Sequence, residues 1–404
     1  MKILLVHNRY RSTAPSGENR VVDQELAALA AAGQDVELFE RRSDEIEDWP
    51  AWKKATLPAR VVWNPAAKRD LGETLQRFRP DVVHVHNTFP VLSPSVLYAC
   101  RDAGVPVVIS LHNYKLLCAS GDFFRDGAVC HNCAGGNPLP GVRHRCYRGS
   151  TLATASTVLN TRSHRRSWRD LVSAFVFISE SQRRLLAGLR FDPDRSFVRY
   201  NYVPYDGRVG RPGDGRKQRQ VAYVGRLDAA KGAPLLMKGW DAYRAIAGDD
   251  ALRLVIAGGG PMLDEVTAWA ASRPSVELRG LLSKPEVFEL LGESRGVVLP
   301  SEWEETFGLV VVEAMAVGVP PLASAHGSFP ELVTDGVDGA LFDPGRPDDL
   351  GKLLLDVDTD PDRYDVLGRN ARATYEAKHD PGHAIGQLLD IYRFAIDQSA
   401  TPLH

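Results

Sequence analysis

Residues 300–320 read PSEWEETFGLVVVEAMAVGVP, and this stretch decides the fold. The apolar run Gly296–Leu299 leads into it and reads as a buried strand. A polar loop with Glu302, Glu304 and Glu305 follows. A helix is expected from about Thr306–Gly308 through Ala316, stopped by Gly318 and Pro320. Free N–H groups at the start of such a helix bind phosphate well. Glu305 and Glu313 stand eight positions apart. If the segment is helical nearly throughout, that spans about 12 Å at ~1.5 Å per residue. The length suits one carboxylate on a sugar and the other on a ribose, with a diphosphate at the helix tip. A bare glutamate pair would read as a solvated acidic loop, but here it is embedded in a whole strand–loop–helix block.

The same alternation extends outward. Ile3–Val6 reads as a strand, followed by a helix over about 19–32 with Val22, Leu26 and Leu29 on one face. Gly33 is placed to cap that helix, and Val36–Phe39 reads as the next strand. Val82–Val85 and Val107–Leu111 continue the series. It restarts with Val221–Val224, Leu254–Ala257 and Val319–Ala323. Apolar runs separated by helical stretches imply parallel sheets with helices on both faces. A chain of 404 residues exceeds one hydrophobic core, so two domains are expected. The boundaries read as 1–205 for the first domain, 206–220 for a Gly- and Arg-rich linker, and 221–381 for the second. A terminal helix, 382–404, is able to pack back on the first. In open parallel sheets, ligands bind beyond the carboxyl ends of the strands, so two such domains create a cleft.

A second element follows strand 221–224: Gly225-Arg226-Leu227-Asp228-Ala229-Ala230-Lys231-Gly232. A leaving nucleoside diphosphate builds negative charge, and a fork-like Arg with a point-charge Lys suits that oxyanion. Together the two blocks resemble the E-x7-E and G-R-L-x3-K-G signatures of the retaining glycosyltransferases of family 4, the group 1 type with the GT-B fold. The resemblance covers most of the chain and is densest from about 221 to 345. It implies an α/β, GT-B architecture of two Rossmann-like domains facing across a cleft. By that resemblance Glu305 holds hydroxyls of the donor sugar, Glu313 the ribose, and Arg226 and Lys231 the diphosphate. The amides of Phe307, Gly308 and Leu309 meet phosphate or sugar oxygens. No divalent metal is then needed for catalysis.

Ser16-Gly17-Glu18-Asn19 follows strand one, and a Gly there lets backbone approach the donor phosphate. The family shows a Gly–Gly pair in this loop; here only Gly17 is present, which also suits a simple turn. His112 ends the strand VPVVISLH and carries over as a sugar contact. The family's His–Asp is His112–Asn113 here. His84 and His86 end another strand, where His86 either borders the acceptor site or is satisfied by backbone. Gly258-Gly259-Gly260-Pro261 and Gly327–Glu331 resemble family loops beside the donor, and the turn at Gly280–Leu282 is expected near the base.

Cys118, Cys130, Cys133 and Cys146 are spaced C-x11-C-x2-C-x12-C in a loop-rich insert, 113–150, with little core of its own. A structural zinc on four thiolates is the expectation, with His131 and His144 as substitutes; a disulfide or plain thiols are the rivals. Cys100 reads as a small core residue. Residues 160–171, with Trp168 among Arg165, Arg166 and Arg169, suit either a solvated helix face or contact with anionic lipid headgroups.

About 44% of residues are hydrophobic, 25% are charged and the net charge is −2, which is ordinary for a soluble globular protein and gives no pull toward nucleic acid. The opening MKILLVHNRY is too short an apolar run for a signal peptide, and no run of 18 apolar residues appears, so a cytoplasmic protein is expected, with the inner face of the membrane as a place of work for a lipid-linked substrate. A dehydrogenase would need G-x-G-x-x-G after strand one, where HNRYRSTAPSGEN stands instead. The resemblance implies a hexosyltransferase taking sugar from a UDP- or GDP-sugar to a glycan or lipid-linked acceptor, in cell-surface polysaccharide or glycolipid synthesis. The alternatives are a catalytically inactive carbohydrate- or partner-binding relative, and a hydrolase or epimerase of nucleotide sugars on the same fold.

Overall fold

The computed structural model describes residues 1–12, 16–207 and 217–400. The chain packs as two units: residues 1–123, 130–201 and 381–404 form the first, and 124–129 with 202–380 form the second. Most of the expected linker, at 208–216, lies outside the described residues.

In the first unit, β1 (Lys2–Arg9), β2 (Asp35–Arg42), β3 (Val82–Asn87) and β4 (Val107–Leu111) are the expected strands, somewhat longer than their apolar centres. A two-stranded antiparallel hairpin, β5 (Phe124–Arg125) with β6 (Ala128–Val129), comes next in sequence. β7 (Ala174–Phe177) and β8 (Ser196–Val198) complete a sheet of order β2-β1-β3-β4-β7-β8. Every pairing in it is parallel. The central strands are buried on both faces, which is why they read as unbroken apolar runs. Helix α1 (Gly17–Ala31) starts two residues before the expected point. The helix Pro381–Ala400 belongs to this unit, where the Tyr392 hydroxyl bonds His84 Nδ1 at 2.7 Å.

The second unit holds β9 (Gln220–Val224), β10 (Arg253–Ala257), β11 (Val276–Gly280), β12 (Gly296–Leu299), β13 (Pro321–Ser324) and β14 (Ala340–Phe342). Their order is β11-β10-β9-β12-β13-β14, all parallel. This is the doubly wound Rossmann order, reversing between β9 and β12. Trp240 and Tyr243 of the helix Ala233–Ala247 fill its core against the sheet.

Three expectations change. The helix after the acidic loop runs only over Leu309–Ala316, so Glu305–Gly308 is loop and the all-helix spacing of about 12 Å between Glu305 and Glu313 does not apply. Glycine at positive φ (Gly308, 86°) delays the helix start. The stretch 160–171 is broken at His164 into Thr151–Ser163 and Arg165–Leu171, and Trp168 is buried in the core rather than offered to lipid. β7, β8, β11 and β14 were not foreseen, because β11 is half-exposed and the others are only three or four residues long. Among the described residues, no helix is long and apolar enough to cross a membrane.

The glycine run after β10 has a packing reason. A Cβ on Gly258 would lie 1.8 Å from the carbonyl oxygen of Gly225, whereas one on Gly259 would meet nothing nearer than Leu281 at 3.7 Å. Gly258→Ala should therefore lower the melting temperature by roughly 5 °C or more, and Gly259→Ala by no more than about 2 °C, measured by calorimetry.

Candidate functional site

In the second unit the reversal of strand order sets β9 beside β12, and the loops leaving them carry both signature blocks. The two loops are pressed together. Gly232 has φ 74°, and a Cβ there would sit 1.7 Å from the Pro300 carbonyl oxygen. The amide of Glu302 donates to the carbonyl of Ala230 at 2.9 Å. This brings Lys231 Nζ to 2.9 and 2.7 Å from the two oxygens of Glu305. Glu305 Oε2 also accepts from Trp303 Nε1 at 2.8 Å and Ser301 Oγ at 3.2 Å. Glu305 is 5% exposed, so its carboxylate depends on these donors. Lys231 Nζ also lies 4.9 Å from the Trp303 ring centroid.

Arg226 has a different environment. Its Nε pairs with Asp228 at 2.7 Å, but its side chain is 67% exposed, leaving the guanidinium accessible to an anion. Asp228 in turn accepts the Lys231 amide at 2.8 Å, tying the turn together. Leu309 opens its helix behind Gly308, and no side chain caps that end. Phe307 is buried; Glu313 is buried and paired with Lys284. The 327–331 loop is stapled to this block: the Ser328 amide donates to the Glu305 carbonyl at 3.1 Å, and the Ser328 hydroxyl to the Phe307 carbonyl at 2.8 Å. Arg226, Lys231, Glu305, Phe307, Gly308, Leu309 and Glu313 thus share one end of one sheet.

In the first unit, Gly17 opens α1. Beside it, Glu18 is buried and accepts from Asn113 Nδ2 at 3.2 Å, while its Oε1 has no hydrogen-bond partner among the described residues. Burial pushes the Glu18 carboxyl up to about 8, against the opposing pull of Asn113, Tyr10 and Lys115. His112 leaves β4 and lies 2.9 Å, Nε2 to Nδ1, from His86. Burial holds His112 down near 3 and His7 near 4, and both His84 and His86 well below the usual imidazole range. All four rings are therefore neutral at physiological pH. Sequence reasoning missed two partners here. Glu25 and Arg199 form a fully buried ion pair. The signal for Glu25 was legible: with Val21, Val22 and Leu29 it lies on the buried face of α1.

None of the four cysteines of the insert is in a disulfide; Cys118 and Cys133 are buried and Cys130 and Cys146 partly so. Burial pushes the Cys133 thiol up, with smaller contributions from Cys118, Cys146 and Cys130. The Gly141 amide opposes that rise by bonding Cys133. Cys100 is a buried core residue. Among the described residues, the set of three donor atoms within 4.8 Å of one another is Glu25, His84 and His86.

Two family models match, the Glycosyl transferase 4-like domain over residues 16–201 and Glycosyl transferases group 1 over residues 211–374. A D-inositol 3-phosphate glycosyltransferase of Mycolicibacterium paratuberculosis is 30% identical over 423 residues, covering 95% of this chain and 87% of the relative. The chain belongs to the group 1 glycosyltransferases. A sulfoquinovosyl transferase of Arabidopsis thaliana is 24% identical, across 89% of this glycosyltransferase and 64% of the relative. Among solved structures, the sucrose-phosphate synthase of Thermosynechococcus elongatus superposes with TM-score 0.70 at 17% identity, covering 97% of this chain and 98% of that one. HepE of Anabaena, solved in complex with UDP-glucose, gives 0.67 at 18% identity over 96% and 98%. These likenesses establish the GT-B fold.

Glu18 sets a pH dependence for this glycosyltransferase. Its folded value lies above that of an unfolded Glu, so the stability it contributes is complete below about 4.3 and is lost as pH rises through about 8. The melting temperature of Glu18→Gln minus that of wild type should grow from pH 5 to about pH 8 and level off above it, which a thermal melt series checks. A flat difference would contradict the burial of this carboxyl.

Proposed function

We propose that this glycosyltransferase moves a hexose-type sugar from a UDP- or GDP-sugar to a glycan or lipid-linked acceptor with retention of anomeric configuration. The role would lie in making cell-surface polysaccharide or glycolipid, and such an acceptor would draw the protein to the cytoplasmic face of a membrane. The observation that carries this reading is the Lys231–Glu305 pair beside the exposed Arg226. As the bond from the anomeric carbon to phosphate oxygen breaks, charge builds on that oxygen, and Arg226 and Lys231 stabilise it. Glu305 and Glu313 accept from sugar and ribose hydroxyls. The amides of Phe307, Gly308 and Leu309, and the backbone at Gly17, meet the remaining donor oxygens. His112 meets a hydroxyl of the sugar.

No side chain of the block stands as a separate nucleophile, which favours front-face attack. The acceptor oxygen bonds the anomeric carbon on the face the phosphate leaves, and its proton passes to the departing phosphate oxygen. The two cations supply the charge a divalent metal would otherwise bring. HepE's complex with UDP-glucose makes the UDP-sugar the first donor to try. A dead binding relative would have no need of the Gly232–Pro300 contact that keeps Lys231 on Glu305.

The reading includes a structural zinc on Cys118, Cys130, Cys133 and Cys146. The spacing C-x11-C-x2-C-x12-C in a loop-rich insert supports that reading.

Three measurements test this. Incubation with UDP- and GDP-sugars should raise the melting temperature for one base and not the other, and NMR of the product should show the donor's anomeric configuration. Lys231→Ala should lower kcat by roughly 10² to 10³ while donor affinity changes far less; wild-type turnover would remove Lys231 from the mechanism. Purified protein should contain about one zinc per chain, and Cys130→Ser should lose both the metal and several degrees of melting temperature. Metal-free protein with unchanged melting in that variant would rule the zinc out.

A further inference from the structure

Three buried side chains lead to His112. Glu25 of α1 gives one oxygen to Arg199, and both residues are almost wholly shielded from water. Its other oxygen, Oε2, lies 3.3 Å from His86 Nε2. Neither of these two atoms has a hydrogen-bond partner among the described residues, so the carboxylate oxygen and the ring nitrogen face each other as two otherwise unsatisfied buried groups. On its far side, His86 Nδ1 lies 2.9 Å from His112 Nε2, with the two rings stacked at 13°.

Proton bookkeeping along this file starts from the charge on Glu25. Burial pushes the Glu25 carboxyl up against the pull of Arg199, and the direct contact with the Arg199 guanidinium favours Glu25 as a carboxylate that only accepts. His86 therefore carries its proton on Nε2, and its Nδ1 is left with a lone pair. His112 must donate from Nε2, which leaves a bare Nδ1. His112 itself lines a pocket with Thr88, Phe89, Asn113 and Lys115.

A metal on Glu25, His84 and His86 is the competing use of these donors. It fits poorly. Arg199 already neutralises Glu25, and both nitrogens of His84 are engaged, Nδ1 with Tyr392 at 2.7 Å and Nε2 with Ser110 at 2.8 Å.

We propose that Glu25 and His86 are positioning residues that lock His112 in its Nε2-protonated tautomer, so that Nδ1 accepts a hydrogen bond from a hydroxyl of the sugar being transferred. The proposal rests on the reading of His112 as a sugar contact. It makes His112 an acceptor for one hydroxyl orientation and a poor partner for a sugar that could only accept there.

The test begins with folded, isotope-labelled wild-type protein near neutral pH, where long-range proton–nitrogen correlation reports the tautomer of each imidazole. A proton on Nε2 of His112 is expected; a proton on Nδ1, or on both nitrogens, overturns the lock. His86→Phe removes the acceptor, and should mix the His112 tautomers and lower kcat about tenfold with little change in donor KM, as for one lost hydrogen bond. His86→Asn, which sets a carbonyl oxygen near the former Nδ1, should restore most of the turnover. An unchanged tautomer in folded His86→Phe also overturns the lock. Failure of the sugar-contact reading shows separately, as wild-type turnover in His112→Ala, and overturns the hydroxyl contact without touching the spectrum.

Discussion

The carbonyl of Pro300 rests against the α-carbon of Gly232, and the donor end of the second unit depends on that contact. It joins the loops leaving β9 and β12 at the point where the strand order reverses. Everything charged in the block then falls into range: Lys231 onto Glu305, Trp303 and Ser301 onto the same carboxylate, and Asp228 between Arg226 and the Lys231 amide. A carboxylate this buried needs several donors to stay in place. Those donors are the groups a sugar hydroxyl or a phosphate oxygen would meet or replace. The site is thus held in shape by bonds of the same kind that it would trade with a substrate.

The first unit is organised by the opposite tactic. The second unit leaves Arg226 accessible, whereas the first buries an ion pair, Glu25–Arg199, and surrounds it with neutral histidines. Such a pair contributes little net stability, because desolvation offsets much of the attraction. What it does supply is a fixed direction of charge inside the sheet. His86 faces the free oxygen of that pair at 3.3 Å, and His112 lies beyond it, 2.9 Å from the other nitrogen of His86.

The fold was legible because buried parallel strands read as unbroken apolar runs, and eight of the twelve sheet strands were found that way or nearly so. Of those missed, β8, β11 and β14 are edge strands that are short or half-exposed, and β7 is a buried run of only four residues. The donor block was legible too, because its residues are close in sequence and their spacing is set by one strand, one loop and one helix. The helix start was misjudged: Gly308 adopts a positive φ and holds Glu305–Gly308 in a loop. Trp168 was misjudged for the reason that a basic helix shows its charges in the sequence but not which face is covered.

What the sequence by itself determined, then, was local. It specified strand–loop–helix units, the glycines that let loops approach, and the glutamates, lysine and arginine set within them. Tertiary structure alone decided which of these meet. Glu25, His86, His112 and Arg199 come from α1, β3, the end of β4 and the residue after β8, up to 174 positions apart, as Arg199 is from Glu25. No spacing rule links them. They are neighbours because parallel strands in the order β1-β3-β4-β7-β8 bring their carboxyl ends together, and because a buried charge accepts only a partner that the packing delivers to it.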